Sequence, residues 1–289
     1  MNDMAPRTSE PDIAAERRPQ RVRHELRFRL LEVRHVERLT SHMVRVTLGG
    51  SDLEGFHSPG FDDHVKVFFP APGEAAPPLP VLGEKGIVFP EDRPRPAMRD
   101  FTPRRHDPAA GVLELDFALH DSGPASDWAR QAAPGQKLVI GGPRGSFILP
   151  TNFDWHLLIG DETALPAIAR RLEELPAGAR AIVLAEVGNE AGQIAFETQA
   201  DASIHWAHRG GPDPQADPLV DPLVDALKAI SLPEGDFHGW IACESSSAKR
   251  LRQILIEAHG ANPKWIRASG YWRRGAEGVH DSFDEKDKA

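Results

Sequence analysis

The hydrophobic period of this chain changes near Pro150, and that change limits the folds open to it. Before Pro150, apolar residues alternate with polar ones. Val44, Val46 and Leu48 are separated by Arg45 and Thr47, and Leu113, Leu115, Phe117 and Leu119 by Glu114, Asp116 and Ala118. A period of two turns one set of side chains to a core and the other away from it, as in a half-buried strand. Further strands are expected over 26–38, 64–69 and 137–140, with Pro- and Gly-rich turns over 70–80 and 90–96. One short helix, 125–133, follows the Gly123-Pro124 breaker. Short strands divided by turns predict an antiparallel β-barrel or sandwich. After Pro150 the apolar runs are continuous: 157–159, 181–187, 203–207 and 238–243. Helical periodicities lie between them, carried by Leu165, Ile168, Leu172 and Leu175 and later by Leu251, Ile254, Leu255 and Ala258. Strands that are apolar throughout need helices on both faces, so this half predicts a doubly wound parallel α/β sheet. The expected organisation is a mobile tail over 1–20, a barrel domain over 21–150, an α/β domain over 151–275 and a tail over 276–289. The near-duplicate Asp217–Val220 and Asp221–Val224 is too short to be a structural repeat.

Composition narrows the function classes. Of 289 residues, 34 are Lys or Arg and 43 are Asp or Glu, a net charge of −9, which argues against a general nucleic-acid binder. A small basic pocket for an anion is still compatible with that balance. One cysteine, Cys243, excludes an internal disulfide and a multi-cysteine metal site. It is expected to be a buried, inert thiol. No run of about 18 apolar residues suggests a membrane span, and the polar N-terminus lacks a secretory core, so the expected location is cytoplasmic. Asp62-Asp63-His64 reads as a turn into a strand rather than as metal ligands.

Several segments carry chemistry, each with a plainer alternative. In Arg99-Asp100-Phe101-Thr102 the Arg can neutralise a phosphate, the aromatic can lie on a ring and the hydroxyl can meet a heteroatom, yet any strand can hold such a pattern. His120-Asp121-Ser122-Gly123-Pro124-Ala125-Ser126-Asp127-Trp128 opens a helix, whose first amides suit an anion or simply a cap. Gly141-Gly142-Pro143-Arg144-Gly145-Ser146 presents an Arg at a bend. Gly270-Tyr271-Trp272-Arg273, with the single Tyr of the chain, reads otherwise as a cap on the sheet.

In their order and spacing these segments, with Pro19–Arg23, Gly60–His64 and Gly160-Asp161-Glu162-Thr163-Ala164-Leu165-Pro166, resemble the siderophore-interacting protein family. The resemblance covers roughly Pro19 to Gly275. It implies a ferredoxin-reductase-like fold, with an N-terminal FAD-binding barrel followed by a nicotinamide-binding α/β domain. It further implies that Arg99 meets an FAD phosphate, Phe101 lies on the isoalloxazine face and Thr102 lies near the ring's reactive nitrogen. Relatives usually have Tyr at 101; Phe keeps the stacking and lacks the hydroxyl. His120, Gly123, Pro124, Ala125 and Ser126 would hold the ring edge and pyrophosphate, with Trp128 beside them. Position 127, often basic in relatives, is Asp here.

By the same resemblance, Asp161, Glu162, Thr163 and Ala164 form the nicotinamide-binding turn, with Thr163 nearest the hydride path. Thr102 and Thr163 are the expected catalytic contacts. Glu244 lies on the second nicotinamide side, where many relatives have Gly in place of Cys243, and Tyr271 and Trp272 complete the cofactor set. Lys66, Arg144 and Arg267 would form a basic triad for an anionic ferric siderophore, with iron as part of the substrate and no resident metal. The implied activity is reduction of Fe(III) by NAD(P)H through FAD. NADPH is the preferred donor, with NADH or a ferredoxin serving some relatives, and Arg209 is a candidate contact for the 2′-phosphate. The alternatives are a general flavin-dependent reductase of other acceptors and a non-catalytic siderophore-binding protein.

Overall fold

The computed structural model describes residues 17–84, 86–120, 123–210, 221–276, 278 and 280–284. Asp121, Ser122 and the first half of the 217–224 duplication lie outside them.

The alternating half builds strands β1 (Gln20–Arg23), β2 (Phe28–Thr40), β3 (Met43–Gly49), β4 (Val65–Phe68), β5 (Val81–Gly83), β6 (Gly86–Val88), β7 (Met98–Phe101), β8 (Pro103–Asp107), β9 (Val112–Ala118), β10 (Lys137–Gly141) and β11 (Gly145–Ile148). Helix α1 (Pro124–Arg130) follows β9 and starts on the proline, whose missing N–H costs nothing at that position. Seven of the strands form an antiparallel sheet in the order β7-β4-β10-β2-β3-β9-β8. Their inward residues, among them Leu31, Val33, Val46, Leu48, Val65, Val67, Leu115 and Leu138, make one buried cluster. The expected barrel is therefore a curled sheet whose edges, β7 and β8, are joined through Thr102 without pairing. Pro103 has no N–H to donate, so the first residue of β8 cannot zip that seam. Strand β1 pairs with β11 in a separate ribbon; its Gln-Arg-Val-Arg sequence has no apolar alternation to betray it.

The second half contains β12 (Trp155–Gly160), α2 (Leu165–Glu174), β13 (Arg180–Val187), β14 (Asp201–His208), α3 (Pro222–Ala229), β15 (Phe237–Glu244), α4 (Ser245–Glu257), β16 (Ile266–Trp272) and β17 (Asp281–Ser282). The sheet order is β14-β13-β12-β15-β16-β17, parallel except for β17. On one face Leu157, Ile159, Ile241 and Cys243 pack on Leu223, Val224 and Leu227 of α3 and Leu251 and Leu255 of α4. On the other, Leu158, Val183, Trp240 and Ala242 pack on α2 and reach Met43, Phe61 and Leu149 of the first half. Helix α2 thus lies between the sheet and the barrel. Strand β16 escaped the apolar-run reading because polar Arg267 and Ser269 alternate with Ile266 and Ala268, as suits a strand near the edge.

Contacts reach past residues 21 and 275 at both ends. Arg17 belongs to the fold: it is buried, pairs with Asp236 at 2.5 Å and lies 5.0 Å over the Phe153 ring. At the other end, residues 280–284 add β17 to β16 rather than trailing away.

Near Arg17, His156 is buried, and burial with the Arg171 cation pushes its imidazolium down to about 4. The unfolded chain, with its histidine near 6.5, binds a proton that the folded chain refuses. Stability from this group is therefore complete above about pH 6.5 and falls by about 3 kcal/mol on approaching pH 4. Thermal unfolding of wild type and His156→Leu between pH 7.5 and 4.5 should show a shallower loss in the variant. Parallel profiles would refute the assignment.

Candidate active site

The seam organises the first part of the site. Across β4 and β7, Val65 opposes Phe101, Lys66 opposes Asp100 and Val67 opposes Arg99. Opposed residues share a sheet face, so Arg99 and Phe101 extend the core face while Lys66 and Asp100 lie on the other. The Phe101 ring is half-buried, 4.4 Å from Phe117 and 6.2 Å from Phe69. Helix α1 packs against β7, which makes the Gly123–Ser126 turn a neighbour of the Arg99 strand. Gly123 has φ of 134°, and a Cβ there would come within 3.1 Å of His120 Cε1. Ser126 is buried and its Oγ accepts from the His120 amide at 3.2 Å, and no side chain caps the first turn of α1. Pro124 and Ala125 are half-buried on that turn. Trp128 is buried, 5.5 Å from Phe117 and 5.9 Å from Phe69, so it supports this wall from behind.

The α/β half supplies the opposite side. Gly160 ends β12, where a Cβ would stand 2.4 Å from Ala164 Cβ and 2.9 Å from the Ala242 carbonyl. Glycine lets the following turn fold tightly over the sheet end. Asp161 is buried there and accepts from Thr163 N at 2.9 Å, Thr163 Oγ1 at 2.6 Å and Trp272 Nε1 at 2.7 Å. Burial pushes its carboxyl up, and those donors oppose the shift. Glu162 accepts from Gly188 N at 3.1 Å and from Arg209 at 2.7 Å; Arg209 also donates to Glu186 at 3.0 Å. Burial pushes Glu186 up to about 7. Arg209, the candidate 2′-phosphate contact, is thus clasped by two carboxylates and offers no free cation. Glu244 caps α4, accepting from Ser246 N at 2.7 Å, Ser247 N at 3.2 Å and Arg274 N at 3.2 Å. Of the expected nicotinamide-side residues, Thr163 and Trp272 are half-buried, whereas Asp161, Glu162, Ala164 and Glu244 are buried. Cys243 is buried, with its thiol pushed well up by burial.

The two sides meet at Tyr271. Its phenol faces the Thr102 side chain at the seam, and burial holds it well above its ordinary range. The ring lies 6.1 Å from Trp240 and 5.8 Å from His280, and His280 stacks on His64 at 5.7 Å. Asp62 accepts from Trp240 Nε1 at 3.1 Å and from Arg267 Nε at 2.7 Å, tying the 60–64 turn to the α/β sheet. Arg267 also pairs with Asp284 at 2.9 Å, and its guanidinium lies 4.4 Å over Phe147. Lys66 pairs with Asp100 at 2.7 Å, and Arg144 is exposed. No group of three or more His, Cys, Asp or Glu among the described residues is placed to hold a metal ion.

Two regions of the chain match known families in tandem. Residues 32–147 match the siderophore-interacting FAD-binding domain, and residues 153–275 match the siderophore-interacting protein family. The chain is 42% identical over 260 residues to the NADPH-dependent ferric-chelate reductase of Escherichia coli (strain K12), covering 89% of this chain and 97% of that one. The chain belongs to the siderophore-interacting protein family. Among solved structures, a siderophore utilization protein from T. fusca superposes with a TM-score of 0.82 at 39% identity, over 90% of this chain and 98% of that one. A ferredoxin reductase of carbazole 1,9a-dioxygenase, 18% identical, superposes with a TM-score of 0.57 over 84% and 69% of the two chains. The family's fold is ferredoxin-reductase-like, as in this chain.

The residues present fit FAD. Arg99, an uncapped helix turn beside it and a half-buried aromatic ring supply a cation, amide donors and a stacking face, the chemistry that a diphosphate and a flat ring need. Sequence reasoning missed Trp240, His280 and Asp284 altogether. It assigned Asp62 to a turn, where a carboxylate's distant partners leave no local signal.

Proposed function

We propose that this protein is an FAD-dependent reductase that passes electrons from NAD(P)H to Fe(III) in anionic ferric siderophores. The clasp of Asp62 on Trp240 and Arg267, with Tyr271 facing Thr102 beside it, supports this reading, because it holds the flavin-type sheet against the end of the α/β sheet. Such a crevice lies outside the carboxyl ends of parallel strands, where open α/β sheets take ligands. We assign 21–150 to FAD binding and 151–275 to the nicotinamide donor. The relative named an NADPH-dependent ferric-chelate reductase supports both donor and acceptor.

Bound FAD would supply the conversion of a two-electron hydride donor into single-electron delivery. The chain's own residues position and shield. Arg99 and the Gly123–Ser126 turn would hold the diphosphate, and Phe101, braced by Phe117, would offer a stacking face to the ring. Thr102 and Tyr271 would form a polar pair at the ring edge, the Tyr271 phenol held above its ordinary range by burial. Thr163, fixed through Asp161, faces the nicotinamide side. Lys66, Arg144 and Arg267 attract and orient the anionic iron complex. Its hard oxygen ligands hold Fe(II) less strongly than Fe(III), so reduction releases the metal.

Steady-state kinetics test the triad. Replacing Lys66, Arg144 and Arg267 together by Ala should raise KM for an anionic ferric siderophore by about tenfold or more and spare an uncharged dye acceptor, since charge-assisted contacts are lost only for the former. Equal losses with both acceptors would end the assignment. One observation favours a broader acceptor range: Lys66 and Arg267 are each paired with a carboxylate of the chain. Faster turnover with quinones or free flavins than with any ferric chelate would support that reading.

A further inference from the structure

A second concentration of positive charge stands where β2 begins. Arg23, His24, Arg27, Arg29 and His57 line a cavity of about 280 Å³, bounded by the Gly142-Pro143 turn, with Glu25 as the one carboxylate in its wall. Arg29 forms the floor. It is 4% exposed, its Nε has no hydrogen-bond partner, and its guanidinium lies 5.2 Å over Phe56. Its two hydrogen bonds both come from Nη1 and are long, 3.4 Å to the Arg27 carbonyl and 3.2 Å to the Gly142 carbonyl. Among the described residues none of Arg23, Arg27 and Arg29 forms an ion pair.

Buried Arg17 and Arg170, and the half-buried Arg209, each meet a carboxylate, whereas buried Arg171, like Arg29, is held only by backbone carbonyls, those of Leu149 and Pro150. A buried guanidinium outside any ion pair is costly, and burial together with the Arg27 cation pulls the Arg29 pKa down against the opposing Asp52 carboxylate. The site is otherwise well braced. His24 Nε2 lies 2.7 Å from Ser146 Oγ, which donates to Asp63 at 2.6 Å, and His57 stands edge-on to His24 at 5.5 Å.

We propose that this cavity binds a phosphoryl group, either inorganic phosphate or the terminal phosphate of a monoester, held by Arg29 from below and by Arg23 and Arg27 at the rim. Three guanidinium forks against one carboxylate match a dianion, and their planar donors suit tetrahedral oxygens. The cavity exceeds a phosphate ion, which leaves space for part of an esterified group. Lys66, Arg99 and Arg267 do not line it, and of the ferric-chelate residues Arg144 alone stands at its border, next to the lining Pro143. Arg144 contributes only its backbone carbonyl nearby, accepting from His24 N at 2.9 Å.

The test uses the full chain loaded with FAD in phosphate-free buffer, titrated calorimetrically with inorganic phosphate in one arm and ribose 5-phosphate in the other. One-site saturation in either arm is expected, and the tighter arm identifies the source. Arg29→Gln and the exposed Arg27→Gln should each weaken binding by about tenfold or more, the scale of one lost charge-assisted contact, while Lys66→Gln leaves it unchanged. Arg27→Gln keeps the test decisive should Arg29→Gln fail to fold. Absence of saturation in both arms up to about 10 mM would overturn the proposal. So would binding that survives Arg27→Gln and disappears in Lys66→Gln.

Discussion

Asp62→Ala is expected to lower the thermal midpoint of the FAD-loaded protein by about 6–10 °C, a loss of about 3 kcal/mol in a chain of this size. Asp62 is buried and serves two donors from the other half of the molecule, Trp240 Nε1 and Arg267 Nε. Removing it leaves the indole N–H and one edge of a guanidinium desolvated and unmatched, the expensive way to break a buried pair. The loss falls at the lower end for such pairs because Arg267 keeps Asp284. Asp62→Asn, which retains an acceptor oxygen, should lose less than half as much. A midpoint unchanged within a degree or two in Asp62→Ala would mean that the turn over 60–64 is not a clasp between the halves.

Arg99→Ala should release the flavin. A charge-assisted contact is worth about 1.5–3 kcal/mol, so FAD affinity is expected to fall by about 10- to 100-fold. Fluorescence titration of FAD-stripped full-length protein reads this directly. Arg105→Ala, an exposed cation on β8 away from α1, is the matched control and should stay within twofold of wild type. Equal affinities for Arg99→Ala and wild type would remove Arg99 from the diphosphate and leave Phe101 and the α1 turn without their partner.

The fold was largely legible because the change of hydrophobic period at Pro150 is a local property of the chain. Val44 to Leu48 and Leu113 to Leu119 alternate as strands β3 and β9 do, and the runs at 157–159 and 238–243 lie inside strands buried on both faces. What failed was long-range. Asp62 and Arg267 are 205 positions apart, and neither carries a local signal of the other. The seam at Thr102 depends on two edges that come together only when the sheet curls. Arg17 reads as part of the 1–20 tail because its partners, Asp154 and Asp236, lie in another half of the sequence. The resemblance names motif residues and says nothing of what surrounds them: Trp128 is a buried support, and Glu244 and Arg209 are already committed to contacts within the chain.

The Asp284 carboxylate on Arg267 has a consequence for how an anion would enter. An anion bound at Arg267 would have to arrive by exchange, evicting a tethered acid whose local concentration is set by the chain and not by the solution. Added salt then weakens guest and resident together, so occupancy should depend on ionic strength less steeply than three solvent-facing cations would require. Shortening the C-terminal arm would convert that exchange into simple uptake.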